Sequence, residues 1–260
     1  MDWKAHFQIE NEKPLDRLVE GYSRTSVFRK IAFIGDSLSS GEFETRDADG
    51  KPHYHDLYEY SWGQYIARKN GLVAYSFSRG GMTAKEYLES FAESRGFWDR
   101  DKAAQAYVIA LGVNDIFNRG YEIGSVADVD PSDYRHNKPT FIGDYARIVS
   151  RYKEISPDAK FFFVAFPKST DPKRNALAET VIAELYKLAE MMENAYVIDL
   201  YRYGPVYDDA FKRRFFLYGH MNPDGYLFTA ELVDSYIDYI VRHNPDDFKT
   251  IGFVTTNIPY

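Results

Sequence analysis

The sequence predicts an α/β fold in which a parallel sheet is covered on both faces by helices. Three observations lead there. Five short apolar runs recur, at 31–34, 72–77, 106–111, 161–166 and 195–200. They are nearly continuous rather than alternating, which is how strands buried on both faces read. Helical patterns lie between them, so strand and helix alternate from 31 to 241. There is no repeat, low-complexity tract or Pro/Gly/Ser linker, and the reading is one domain over residues 1–260.

Each element has its own warrant. The first 30 residues form an N-terminal extension. Run 31–34 is the first strand, and the polar stretch 44–60 is an insertion after it. Residues 62–70 form a helix stopped by Gly71. After the 72–77 strand, Thr83-Ala84-Lys85-Glu86 reads as a capping box that opens another helix. Residues 118–140 form a second insertion behind the third strand. Asp171-Pro172 opens a long helix with Leu177, Val181, Leu185, Leu188 and Met192 on one stripe. Asn222-Pro223 opens the last, with Tyr226, Ala230, Val233, Ile237 and Val241 at helical spacing.

Composition narrows the function classes. The 260 residues carry a formal net charge of −7, which opposes a phosphate backbone and argues against nucleic acid as partner. Lys212-Arg213-Arg214 is the local exception and reads as a solvated loop. With no cysteine there is neither a disulfide nor a thiol nucleophile. No apolar run approaches the ~20 residues of a membrane span. The start, Met1-Asp2-Trp3-Lys4, lacks a basic and then apolar leader, so a cytoplasmic location is expected, or a secreted or periplasmic one if a leader preceded it. Nothing in the sequence points to an oligomeric state.

The chemistry gathers at strand ends. The first strand runs into Gly35-Asp36-Ser37-Leu38, a turn placed to expose a serine hydroxyl; capping is the alternative role for Asp-Ser. Serine needs a base and a site for the oxyanion. The second strand ends in Ser78-Arg79-Gly80-Gly81-Met82-Thr83, just before a helix, where outward N–H groups meet a positive dipole end. The third ends in Gly112-Val113-Asn114-Asp115, whose asparagine can aim an amide at developing negative charge or simply form an Asx-turn. His220, in Gly219-His220-Met221-Asn222-Pro223, lies two residues before the final helix cap. His6, His53, His55, His136 and His243 read as structural. His53, His55 and Asp56 lack a further ligand at metal-site spacing, so no metal is expected. Neither Gly-x-Gly-x-x-Gly nor a phosphate loop follows the first strand, which sets aside a nucleotide-binding role.

Taken together and in this order, the four blocks resemble the SGNH hydrolases, the GDSL esterase/lipase family. The resemblance spans about 31–241 and implies a three-layer α/β/α sandwich with a flavodoxin-like, five-stranded parallel sheet. It implies Ser37 as nucleophile and His220 as general base. The implied oxyanion hole is the N–H groups of Ser37 and Gly81 with the side-chain amide of Asn114. It implies no cofactor and no metal.

One position departs from the family. An aspartate usually stands three residues before the histidine; here it is Leu217, which cannot accept a hydrogen bond. In another triad enzyme, converting that acid to its amide costs roughly 10⁴ in turnover. A carboxylate from elsewhere, with Asp199, Asp208, Asp209 and Asp224 as candidates, a backbone carbonyl, or a decayed site are the three explanations. The expected function is hydrolysis of ester bonds through an acyl-enzyme, with small acyl groups on carbohydrate or similar polar esters as first choice. Aromatic residues at 17% of the chain favour sugar stacking if they reach the surface. The alternatives are lipid esters or thioesters, and a non-catalytic carbohydrate-binding relic of the fold.

Overall fold

The computed structural model describes residues 9–251 together with Asp2, Lys4 and Phe7; His6 lies outside the described residues. The strands are β1 (Lys30–Gly35), β2 (Glu42–Arg46), β3 (Pro52–Asp56), β4 (Val73–Ser78), β5 (Ala106–Ala110), β6 (Lys160–Val164), β7 (Ala195–Ile198), β8 (Phe216–Leu217) and β9 (His220–Met221). All five apolar runs become strands of one parallel sheet, ordered β4-β1-β5-β6-β7. The remaining strands form two small antiparallel pairs, β2 with β3 and β8 with β9.

The helices are α1 (Ser37–Ser40), α2 (Trp62–Asn70), α3 (Ala84–Glu86, a π-helical Tyr87–Phe91, then Ala92–Ser94), α4 (Phe141–Ile155), α5 (Pro172–Met191), α6 (Leu200–Tyr203), α7 (Asp209–Phe215) and α8 (Pro223–His243). Alternation of side chains along the central strands divides the core in two. On one face Ala32, Ile34, Tyr107, Ile109, Phe161 and Phe163 pack under α3, α4 and α5. On the other, Ile31, Phe33, Ala106, Val108 and Phe162 pack under α2 and α8. The result is a three-layer α/β/α sandwich. Burying each such side chain, alanine apart, is worth roughly 1.5–3 kcal/mol relative to leaving it in water.

Predicted helix starts agree with the caps. Ser61 caps α2 and left-handed Gly71 ends it; Asp171 caps α5 ahead of Pro172; Asn222 caps α8 ahead of Pro223. Four expectations change. β4 is an edge strand, and along it only Phe77 is fully buried. Leu177 faces solvent, leaving Val181, Leu185 and Leu188 as the buried stripe of α5. α4, capped by Thr140, was not foreseen; Phe141, Tyr145, Ile148 and Tyr152 form its buried face. Lys212-Arg213-Arg214 is the last turn of α7 rather than a loop, where cations complement the helix dipole.

The additions are ordered too. Stretch 44–60 belongs to the β2–β3 hairpin and a following 3-10 turn at Tyr58–Tyr60. Stretch 118–140 carries 3-10 turns at Val126–Asp128 and Tyr134–His136. Within the described part of the N-terminal segment, the Ser23 hydroxyl donates to Asp234 of α8 at 2.5 Å and Glu12 pairs with Arg242 of α8 at 2.7 Å.

Sheet register is what builds a site. Gly35 is level with Ser78 on one side and Ala110 on the other. Because the strands are parallel, the blocks after β1, β4 and β5 emerge side by side at one edge, where such folds bind ligands.

Candidate active site

Ser37 opens α1 immediately after β1. Asp36 stays extended and its carboxylate accepts the Leu38 N–H at 3.1 Å, while its carbonyl accepts from Ser39 and Ser40. As the first of the turn, the Ser37 N–H has no partner within the helix. Position 35 must be glycine, since a Cβ there would lie 2.5 Å from the Ser39 Cβ. Burial pushes the Asp36 carboxyl up to about 7, the Leu38 N–H opposing and Asp115 reinforcing the rise.

Gly81 has φ +71°, a left-handed conformation, and a Cβ on it would meet nothing within 4 Å. Its backbone therefore borders open space. Met82 N–H donates to the Arg79 carbonyl and closes the turn. Arg119 donates to the Gly81 carbonyl at 3.2 Å and pairs with Glu86 at 3.7 Å. The predicted capping box is half made: the Thr83 hydroxyl accepts the Glu86 N–H at 3.1 Å, but the Glu86 carboxylate serves Arg79 and Arg119 instead.

The Asn114 amide is clamped. Its Nδ2 donates to the Met82 carbonyl at 3.1 Å and reaches Asp36 at 3.4 Å, and its Oδ1 accepts from Asn118 at 2.8 Å. Next to it, Asp115 accepts the Ala84 N–H at 2.9 Å, and burial pushes its carboxyl up to about 6.

His220 stands on β9, with its ring between two glutamates of β2. Glu42 Oε1 lies 3.0 Å from Nε2, and Glu44 Oε2 lies 3.5 Å from Nδ1. The Tyr54 ring meets the imidazole edge-on at 5.6 Å. The Glu42 carboxylate raises the imidazole pKa above its ordinary value; burial opposes, and Glu44 adds to the rise. Glu44 is itself buried, and although burial works against its charge, the Gly219 N–H, Arg46 and His220 hold its pKa below the usual carboxylate value.

The glutamates were missed in the sequence, yet the signal was present. Glu42-Phe43-Glu44 has strand period, so one face carries two acids and the other an aromatic ring. Phe43 is buried, with the rings of Tyr60 and Tyr226 edge-on at 5.6 and 5.4 Å. The Tyr226 hydroxyl donates to the Glu42 carbonyl at 2.6 Å and lies 3.4 Å from the Ser37 carbonyl.

The four predicted aspartates are engaged elsewhere. Asp199 caps α6 and accepts the Tyr186 hydroxyl at 3.0 Å. Asp208 caps α7 and Asp209 lies in its first turn. Asp224 pairs with Arg214 at 2.7 Å. None of them reaches Nδ1 of His220. Leu217 is level with His220 across the β8–β9 pair and is 41% exposed.

The other histidines have local partners: His53 with Asp47, His55 with Thr45, His136 with Asp130, and His243 with the Tyr239 carbonyl. Among the described residues no group of three His, Cys, Asp or Glu is arranged to hold a metal, and no helix is long and apolar enough to cross a membrane.

Ser37, Gly81, Asn114 and His220 all border one cleft of about 820 Å³, together with Glu42 and Tyr54. Its lining also includes Asn118, Ser169, Thr170, Asp171, Arg174 and Lys212. A smaller, mostly apolar recess of about 80 Å³ shares Leu38, Val113, Phe166, Pro167 and Tyr207 with the cleft.

The model of the GDSL-like Lipase/Acylhydrolase family matches residues 33–227, three quarters of the chain and all four blocks. The chain belongs to that family. Solved structures share its fold. A family two carbohydrate esterase from Clostridium thermocellum, in complex with cellohexaose, has 17% identity over 92% of this chain and 67% of its own, with a TM-score of 0.56. A carbohydrate esterase family 2 enzyme with a carbohydrate binding domain, from Corynascus thermopiles, has 16% identity, covers 87% of this chain and 68% of its own, and has a TM-score of 0.54. A protein from Lactobacillus plantarum has 17% identity, 81% and 97% coverage, and a TM-score of 0.55. No curated protein matches the chain.

Proposed function

We propose that this GDSL-family hydrolase cleaves small acyl groups, acetyl above all, from carbohydrate or similarly polar esters through an acyl-enzyme. The observation that carries the reading is that Ser37, Gly81, Asn114 and His220, from four distant segments, line one cleft. Ser37 Oγ attacks the ester carbonyl as His220 Nε2 accepts its proton. The N–H groups of Ser37 and Gly81 hold the oxyanion, and the Asn114 amide joins them by giving up its long 3.4 Å contact to Asp36, each such donor being worth roughly 3 kcal/mol. The tetrahedral intermediate collapses, His220 returns the proton to the departing alcohol, and a water activated by the same imidazole releases the acid.

The cleft lining supports the substrate class. The serine, threonine and asparagine side chains among the lining suit hydroxyl-rich alcohols, and Tyr54, 56% exposed, offers a ring. The apolar recess has room for a few carbon atoms and not for a long acyl chain. The fold is shared with carbohydrate esterases, which agrees with this choice.

The test is turnover of 4-nitrophenyl acetate and of an acetylated oligosaccharide. Ser37→Ala is expected to lower kcat by about 10³-fold or more; equal rates in the two proteins would remove the mechanism. Leu217 favours one rival, a carbohydrate-binding relic. A fluorophosphonate separates the two, because a relic leaves Ser37 unlabelled.

A further inference from the structure

We infer that Glu44, delivered by strand β2, is the carboxylate that orients His220, in place of an acid three residues upstream. The inference rests on the proposed roles of Ser37 and His220 and adds a positioning residue that the family pattern does not supply.

Four observations converge. First, Nδ1 of His220 is buried and has no well-formed hydrogen bond; Glu44 Oε2, at 3.5 Å, is the carboxylate oxygen beside it. Second, the same Oε2 accepts the N–H of Gly219 at 2.9 Å, so the oxygen that stands beside the ring is fixed by the residue before it. Third, Oε1 accepts from Arg46 at 3.1 Å, which fixes the rotation of the carboxylate. Fourth, a Cβ at position 219 would lie 2.8 Å from Oε2, so glycine there is what allows the approach. A slight shortening of the 3.5 Å separation brings Nδ1–H into bonding range, as catalytic contacts tighten when substrate binds.

The route differs from the family's, but the physics is the same. A negative oxygen on Nδ1 selects the tautomer with its lone pair on Nε2 and stabilises the ring once it takes the serine proton. The proton on Nδ1 stays there throughout. Glutamate reaches from a neighbouring hairpin across a distance that Leu217, opposite His220 on β8, leaves unserved. Glu42, on the same face of β2, holds the other nitrogen at 3.0 Å and must withdraw from Nε2 for Ser37 to use it.

The experiment compares full-length wild type, Glu44→Gln, Glu44→Asp and Ser37→Ala. It measures kcat and KM for 4-nitrophenyl acetate from pH 5 to 9, with a thermal melt as a folding check. The charged and polar groups facing the imidazole are Glu42 and Glu44 from β2, Asp36 from the turn after β1, and the Tyr54 ring from β3. Glu44→Gln is expected to lower kcat by about 10²- to 10⁴-fold with KM little changed. It should also move the acidic limb of kcat/KM to lower pH by about one unit, since one favourable charge is gone. Glu44→Asp should fall between the two, and it stands in if the glutamine variant does not fold.

A Glu44→Gln enzyme within about threefold of wild type, with an unmoved pH profile while Ser37→Ala is dead, overturns the inference and leaves the hydrolase reading intact. Wild type no faster than Ser37→Ala overturns the hydrolase reading instead. In that case an NMR titration of the His220 ring decides the positioning role: the pKa drops in Glu44→Gln if the carboxylate acts on the ring, and an unchanged titration rejects it.

Discussion

The two sides of the cleft are built by different means. Ser37, Gly81 and Asn114 stand at the ends of three adjacent parallel strands, and their spacing follows from the register that puts Gly35 level with Ser78 and Ala110. Glu42 and Glu44 hang on a hairpin whose other strand, β3, is exposed along its whole length. The donor side inherits its geometry from the core, whereas the carboxylate side depends on one anchored ring, Phe43, and a few polar contacts. In the proposed mechanism a shared edge would therefore fix where the charge of a transition state is stabilised, while a local addition would set the protonation of the base.

That contrast can be broken from either side. The largest effect belongs to the donor side: Asn114→Ala should lower kcat by about 10²- to 10³-fold with KM little changed, and steady-state kinetics on 4-nitrophenyl acetate will read it. A loss below about threefold would mean that the clamped amide never meets the substrate.

On the carboxylate side, Glu42→Gln tests the protonation of the base. The His220 pKa is raised, chiefly by Glu42, so the neutral base accumulates only above its ordinary value of 6.5. Removing that charge should shift the acidic limb of kcat/KM downward by about one pH unit and raise the rate near pH 6 several-fold. A pH–rate profile that stays in place would show that Glu42 leaves Nε2 before titration matters.

The smallest effect lies at the seam, in Asp36. Its folded pKa, about 7, stands above the ordinary value of 3.8, so its contribution to stability is present at low pH and is lost as pH rises through about 7. An asparagine side chain at this position would keep the cap without the buried charge. The melting temperature of Asp36→Asn relative to wild type should be near parity at about pH 4 and several degrees higher at about pH 8. A difference that does not grow with pH would contradict the buried, neutral carboxyl.

Legibility in the sequence followed the same division. The central strands were plain because burial on both faces leaves unbroken apolar runs such as 161–163, whose rings alternate between two cores, and the edge strands kept enough apolar residues to read alike. The serine, glycine, asparagine and histidine blocks were readable because each is short, local and tied to a strand or helix end. α4 escaped because aromatic and β-branched residues, with Gly143, dilute its helix propensity, and only tertiary burial makes its stripe count. The proposed orienting acid, Glu44, escaped for a different reason. The candidate aspartates all stand in the second half of the chain, whereas a contact between residues 44 and 220 spans most of the fold and has no local spacing to announce it.

Tyr226 ties these two sides together. Its single hydroxyl reaches the carbonyls of both Ser37 and Glu42, from the first turn of α8. Any tilt of that helix would carry the proposed nucleophile and the acidic strand in unison, so one pinned joint keeps the spacing between the two lips of the cleft from drifting.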